Sequence, residues 1–317
     1  MIGWLPNLRP PRVFAPRAPG PTAKKPRGDR SKEPVRRFLY WCLVVALAPW
    51  LIFSCSRSEE APAGPADLPQ EPEIRISGSG TLFPVLRRLV DAYSEDNPRV
   101  KVHILPGTST AGGVAGVRSG ALQIGLASRR LTRDEARDVA YHLIGYDPIA
   151  FAAHPSCRVP RLTGDDVRRI YSGRVTRWSE LGGAPRDILV LDREEGESLR
   201  INLMRHFFEP GFRVTSSAVV LQHAEDMVRA LDTTPFTVGY AGRGELRAAG
   251  LQVLLVPPLG RWPRPDEVRR RAYPLVIPLG LVTAPSPPPE VVRFLEFLGG
   301  PRAAAVLDAL GCTPAGG

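Results

Sequence analysis

At 317 residues the chain is long enough for two domains of ordinary size, and 43% apolar with 23% charged residues is a globular composition. The net charge of +10 would suit a nucleic-acid binder, but residues 1–37 hold ten Lys and Arg against Asp29 and Glu33, leaving +2 for everything after Arg37. No basic patch with interleaved aromatics appears downstream, so nucleic acid is excluded as the main partner. The four cysteines show no C-x-x-C spacing and the five histidines no H-x-x-x-H pair, so neither a metal site nor a cofactor is expected. Cys157 and Cys312 could form a disulfide in an oxidising compartment or remain two buried thiols.

Residues 1–34, rich in Pro, Arg and Gly, have no periodicity that could bury a face and read as disordered. Phe38 to Phe53 then runs sixteen residues without a charge behind Arg36-Arg37. That is short of the about 20 residues of a membrane span but suits a signal-peptide core. The run closes on Leu51-Ile52-Phe53-Ser54-Cys55, which resembles a bacterial lipobox with a bulky Phe53, and makes Cys55 the expected lipidation site. An uncleaved N-terminal anchor and cleavage elsewhere are the alternatives. Residues 1–54 are therefore read as leader and signal peptide, and 55–73 as a lipid-anchored polar linker.

Ile74 to Gly78 reads as a strand, Ser79-Gly80-Thr81 as a tight turn, and Leu82 onward as an amphipathic helix with Thr81 as its N-cap and Pro84 in its first turn. Free N–H groups, small hydroxyls and the positive end of a helix dipole meet there, an arrangement that binds anions. Lys101–Leu105 repeats the pattern, leading through Ser109-Thr110 and Gly112-Gly113 into a second helix. Ala121–Ala127 begins a third unit that exits at Ser128-Arg129, where Thr132-x-x-Glu135 forms a capping box expected to open another helix. Three strand–turn–helix units imply a parallel α/β sheet whose turns face one point.

Further along, Asp147–Pro155 is an apolar strand, and Thr163 with Asp166 caps a helix ending at Tyr171. Strand Ile188–Leu191 and helix Leu199–Phe208 present Arg193 and Ser198 at a helix N-terminus. Phe236–Gly242 is a strand, Tyr273–Leu279 is apolar, and helices Glu290–Leu298 and Arg302–Leu310 end at Gly299 and Gly311.

In this order the motifs resemble the phosphate-binding, type II periplasmic substrate-binding proteins of ABC transporters. The resembling residues are Gly78-Ser79-Gly80-Thr81, Ser109 to Gly113, Ile124 to Arg129, Asp147 to Ala150, Leu162 to Gly173, Thr176 to Gly183 around Trp178, Val238-Gly239-Tyr240 and Gly311 to Pro314. The resemblance covers about residues 74–317. It implies a two-lobed α/β fold, each lobe a mostly parallel sheet with flanking helices, joined by two hinge strands. Lobe I would comprise 74–150 plus 272–317, and lobe II 151–271. It further implies an exported, membrane-anchored lipoprotein, periplasmic or cell-surface, that is a monomer and not an enzyme. The lobes would close on phosphate or a similar oxyanion and hand it to an ABC permease.

Carried over residue by residue, Ser79, Gly80 and Thr81 match the first binding turn, Ser109 and Thr110 the second, and Ser128 the third, with Arg193 as the cross-lobe guanidinium. A shift of one residue would put Leu82 where Thr81 is assigned. Two departures bear on the ligand. Where many members carry an acid that accepts the proton of hydrogen phosphate, this chain has Arg129. Where they have Gly-Ser-Gly-Thr, it has Gly196-Glu197-Ser198-Leu199. Glu197 is therefore expected to take over the acceptor role with Arg129 compensating its charge, unless it points outward or pairs with Arg200. Another oxyanion, or a surface sensor or structural lipoprotein on the same fold, is the alternative function.

Enzyme readings fare worse. Gly78-x-Gly80 lacks the third glycine of a dinucleotide fingerprint, Phe83 standing in its place, and neither a Walker-type Gly-Lys-Ser/Thr nor a G-x-S-x-G elbow occurs. The pairs Asp165-Asp166 and Glu194-Glu195 lie at helix starts or in loops, where solvated caps are the plainer role.

Overall fold

The computed structural model describes residues 72–316. The leader, the apolar run, Cys55 and nearly all of the linker lie outside the described residues. No helix among those described is long and apolar enough to cross a membrane.

Strand β1 (Glu73–Gly78) enters a 3-10 turn, Gly80–Leu82, and then helix α1 (Phe83–Asp96), which buries Phe83, Val85, Leu86, Leu89 and Tyr93 along one face. Thr81 does not cap this helix. It lies inside the 3-10 turn, and Leu82 holds the N-cap position without a side-chain bond. Strand β2 (Lys101–Ile104), helix α2 (Ser109–Arg118) and strand β3 (Ile124–Ala127) follow, and β1 lies between β2 and β3, parallel to both.

The third unit differs from expectation. Thr132 and Glu135 make both bonds of a capping box, Glu135 N–H donating to Thr132 Oγ1 at 3.2 Å and Thr132 N–H to Glu135 Oε2 at 2.9 Å. No helix grows from it: the chain makes turns as far as Asp138, whose φ of 57° is left-handed, and enters strand β4 (Ala140–Ala153). The box closes a loop because Glu135 is also gripped by Arg129, which ties the turn back to the end of β3.

After β4 come α3 (Gly164–Tyr171), β5 (Leu189–Arg193), α4 (Ser198–His206), β6 (Val219–Leu221) and α5 (Ala224–Thr233). Then follow β7 (Thr237–Gly242), α6 (Arg243–Ala248), β8 (Leu254–Val256), α7 (Pro265–Arg269), β9 (Val276–Thr283), α8 (Pro289–Leu298), α9 (Pro301–Leu310) and β10 (Thr313–Pro314). Thr163 and Asp166 form the expected reciprocal cap of α3. Gly311 takes the left-handed conformation after α9, φ 82°. Gly299 does not, with φ −82°, because Gly300 is the only other residue between α8 and α9.

The strands form one mixed sheet in the order β2-β1-β3-β9-β4-β7-β5-β6, with β8 and β10 paired to β4. Two parallel triplets, β2-β1-β3 and β7-β5-β6, flank an antiparallel pair. That pair joins the halves. The first part of β4 runs against β9 from Ala140 opposite Thr283 to Pro148 opposite Val276, and the second runs against β7 and β8 from Ile149 to Ala153. This is the two-lobed α/β architecture with two connecting strands.

Each half has its own core. One gathers Ile74, Leu89, Tyr93, Leu126, Leu281 and Phe294, and the other Phe151, Tyr171, Trp178, Phe207 and Tyr240. Trp178 is fully buried and its indole N–H donates to Phe236 O at 2.9 Å, so the bulk and the donor are both satisfied. Cys157 and Cys312 are free thiols in different cores, and burial pushes Cys157 up to about 12.

Three backbones approach closely where β1, β3 and α2 meet. Gly78 has φ 135°, and a Cβ there would stand 2.5 Å from Leu126 N and O; one on Gly125 would stand 2.7 Å from Gly113 O. Gly78→Ala should therefore cost about 2 kcal/mol or more in denaturant unfolding, from strain and overpacking together. A loss within experimental error would show that the approach can relax.

Asp147 lies where β4 passes between halves. Its Oδ1 accepts from Gly244 N–H at 2.7 Å and its Oδ2 from Glu245 N–H at 2.9 Å, yet burial raises it from 3.8 to about 6. The folded chain thus holds this proton more tightly than the unfolded chain. The associated stability is complete below about pH 3.8 and is lost as pH rises through about 6. Urea unfolding of Asp147→Asn should show a weaker pH dependence across that window than the parent chain; an unchanged profile contradicts the assignment.

Candidate functional site

The turns that end β1 and β3, and the first turn of α2, meet through hydroxyls. Ser79 N–H donates to Leu126 O at 3.0 Å, Ser79 Oγ to Ser128 Oγ at 2.9 Å, and Ser128 N–H to Thr110 Oγ1 at 3.3 Å. Behind them Ser77 Oγ donates to Pro106 O at 2.6 Å, and Thr108 N–H to Gly78 O at 2.9 Å, fixing the second turn against the first. Ser79, Thr81, Thr110 and Ser128 are all buried, while Ser109, left-handed at φ 67°, stays exposed at the start of α2.

The opposite wall comes from the other half. Arg193 ends β5 with its side chain only 9% exposed; Nη2 donates to Gln222 O at 3.1 Å, and Nε is buried without a partner among the described residues. Its backbone is held by Tyr240, whose hydroxyl accepts from Arg193 N–H at 3.0 Å and donates to Asp192 Oδ1 at 2.7 Å. Arg200 Nε completes that network on Asp192 Oδ2 at 3.0 Å. Burial, helped by the Asp192 charge, pushes the Tyr240 phenol well up, so it remains a neutral donor.

All ten residues singled out in the sequence line one cavity of about 430 Å³: Ser79, Gly80, Thr81, Ser109, Thr110, Ser128, Arg129, Arg193, Glu197 and Ser198. Thr81 rather than Leu82 faces it, Leu82 being core. The roles expected of two charged residues are realised differently. Arg129 does not compensate Glu197: it forms a two-bond pair with Glu135, 2.7 Å each, which holds the Glu135 carboxyl down at about 2. Glu197 neither points away nor pairs with Arg200. Its Oε2 accepts from Leu199 N–H at 2.9 Å and Arg200 N–H at 3.0 Å and caps α4. A carboxylate of the chain thus occupies N–H groups that could otherwise serve a ligand anion.

The cavity also holds residues the sequence reading misses: Gly107, Glu194, Gln222, His223 and Glu225 among them. Glu225 begins α5 and reaches the first turn from across the cleft, where a Cβ on Gly80 would lie 3.3 Å from its Oε1. A signal was present, since Val219–Leu221 followed by Gln222-His223 and a helix is a further strand–turn–helix unit. Chemically the site offers neutral hydroxyls and one buried guanidinium, with carboxylates at Glu194, Glu197 and Glu225. Such a set can bond an oxyanion through its donors and can also accept a hydrogen bond from one that carries a proton.

A family model described as a PBP superfamily domain matches residues 63–301. The phosphate-binding protein PstS of Borreliella burgdorferi is 23% identical over 270 residues, 81% of this chain and 91% of that protein. The protein of the same name from Bacillus subtilis is 22% identical over 244 residues, 74% and 79% of the two chains. A crystal structure described as a phosphate ABC transporter substrate-binding protein with bound phosphate, from Clostridium perfringens, has a TM-score of 0.60 at 23% identity. It covers 76% of this chain and 99% of that one, and shows the shared fold.

The Tyr240 hydroxyl joins Asp192 to the Arg193 backbone, and Tyr240→Phe leaves both buried groups short of a partner. The substitution should lower stability by about 1–3 kcal/mol in urea unfolding. A change below about 0.5 kcal/mol, the scatter of ordinary surface substitutions, would contradict that role.

Proposed function

The chain belongs to the PBP superfamily, and from that premise we propose that it captures inorganic phosphate outside the cytoplasm and delivers it to an ABC importer permease. One observation carries the reading: hydroxyls from three separate turns and a guanidinium from the opposite half line a single cavity. The relatives named phosphate-binding protein support it at 81% and 74% coverage of this chain.

In this reading lobe I is 74–150 plus 272–317 and lobe II is 151–271, with β4 and β9 as the hinge. Ser79, Thr81, Ser109, Thr110 and Ser128 donate hydroxyls, Gly80 allows close backbone approach, Ser198 adds a hydroxyl at α4, and Arg193 supplies charge-assisted bonds when the lobes close. Arg129, held by Glu135, lines the wall as a fixed guanidinium. Glu197 accepts the proton of hydrogen phosphate, and Glu225 stands ready for the same role from α5. The protein acts as a monomer without catalysis, tethered to the membrane through a lipid on Cys55 and the linker that follows.

Carboxylates on the wall set the discrimination. Hydrogen phosphate can donate to them, while sulfate at neutral pH cannot and is repelled. Isothermal titration of the ligand-stripped full-length chain should give one-to-one phosphate binding, with sulfate weaker by about tenfold or more. Arg193→Ala should weaken phosphate by about 10- to 100-fold, the worth of a charge-assisted bond. Absence of heat with both anions would contradict the proposal, and equal affinity for both would remove the acceptor role from Glu197 and Glu225.

A further inference from the structure

A second cavity, about 450 Å³, opens beside the first and shares Thr81, Ser128, Arg129, Glu197 and Ser198 with it. The two form one continuous cleft, of which the hydroxyl turns line only a part. The floor of the second is apolar, made by Tyr146, Val276, Ile277 and Pro278 on and beside the connecting strands. Its rim is basic.

Arg130, Arg205 and Arg271 stand on that rim, and among the described residues their guanidiniums have no hydrogen-bond or ion-pair partner. The one carboxylate on the lining, Glu197, is turned to the α4 N–H groups. The first cavity is the reverse: Glu194, Glu197 and Glu225 line it together with Arg193 and an Arg129 already paired with Glu135. The positive field of the cleft therefore lies beside the hydroxyl turns, where a bare phosphate in those turns would leave it unanswered.

Asn202 stands on the same wall, its Nδ2 donating to Pro274 O at 3.2 Å and to Val276 O at 3.1 Å, which holds this segment of the floor in place.

From these observations, and resting on the phosphate reading, we infer that the cleft takes an organic phosphate: a phosphate monoester with a second anionic group on its carbon skeleton. The phosphoryl group occupies the hydroxyl turns. The skeleton lies on the Tyr146–Val276–Pro278 floor, and the second anion meets Arg205 and Arg271.

The test is titration of the full-length chain with three probes: inorganic phosphate, glycerol 3-phosphate and 3-phosphoglycerate, the last adding a carboxylate to a similar skeleton. The inference expects 3-phosphoglycerate to bind at least as tightly as phosphate and about tenfold more tightly than glycerol 3-phosphate. The double variant Arg205→Ala, Arg271→Ala should lose about tenfold for 3-phosphoglycerate and stay within about twofold for phosphate, as expected of one charge-assisted contact.

Tight phosphate binding with 3-phosphoglycerate about tenfold weaker, or no effect of the double variant, overturns the inference and leaves the phosphate reading standing. Binding of 3-phosphoglycerate without phosphate supports the inference and displaces inorganic phosphate as the natural ligand. Failure of all three probes overturns both.

Discussion

Three backbones meet at Gly78, Gly113 and Gly125, where a Cβ on Gly78 or Gly125 would overlap backbone atoms and one on Gly113 would stand 3.0 Å from Gly78 Cα. The binding wall depends on that approach. Because α2 can lie directly on β1 and β3, the turn after β1, the first turn of α2 and the exit of β3 come within hydrogen-bond reach, and Ser79, Thr110 and Ser128 form one chain of donors and acceptors. Push the backbones apart by a methyl group and the hydroxyls no longer share a target. The glycines are thus structural residues whose consequence is a polar pocket.

Against that wall the second half sets charge, in an uneven distribution. Arg193 is held by Tyr240 and Gln222 with one N–H still unspent, and β4 and β9 carry the two halves in one sheet so that this guanidinium faces the hydroxyls. Arg129, on the hydroxyl side, is neutralised by Glu135 within its own loop. Glu197 stands at an N-terminus where a ligand anion would gain most, and it can leave only by breaking two bonds to α4. In the proposed function that carboxylate stays in place and accepts the proton of the ligand. The unpaired arginines lie one cavity away, on the rim of the part of the cleft that the hydroxyl turns do not line.

Much of this was legible in the sequence because each unit is local. A short apolar run, a turn of Ser, Thr and Gly, and a 3.6-residue apolar period give β1 with α1, β2 with α2, and β5 with α4 without long-range information. The site residues on those turns fall into one cavity for the same reason. What stayed hidden depends on contacts distant in sequence. The Thr132–Glu135 box forms both its bonds, yet no helix follows, because Arg129 grips Glu135 and the chain must turn to begin β4 against β9. The early part of β4, Ala140 to Tyr146, shows no period that marks it, since its pairing partner lies more than a hundred residues away. Glu225 entered the site because α5 packs against the 3-10 turn: the strand–turn–helix pattern of β6 and α5 is local, but that packing is not.

The most direct test is a crystal structure of the chain soaked with inorganic phosphate at neutral pH. The account predicts the anion among Ser79, Thr110, Ser128 and Arg193, with one oxygen within hydrogen-bond distance of Glu197 or Glu225. Phosphate seated instead between Arg205 and Arg271, with the hydroxyl turns empty, would contradict it and make the basic cavity the primary anion site.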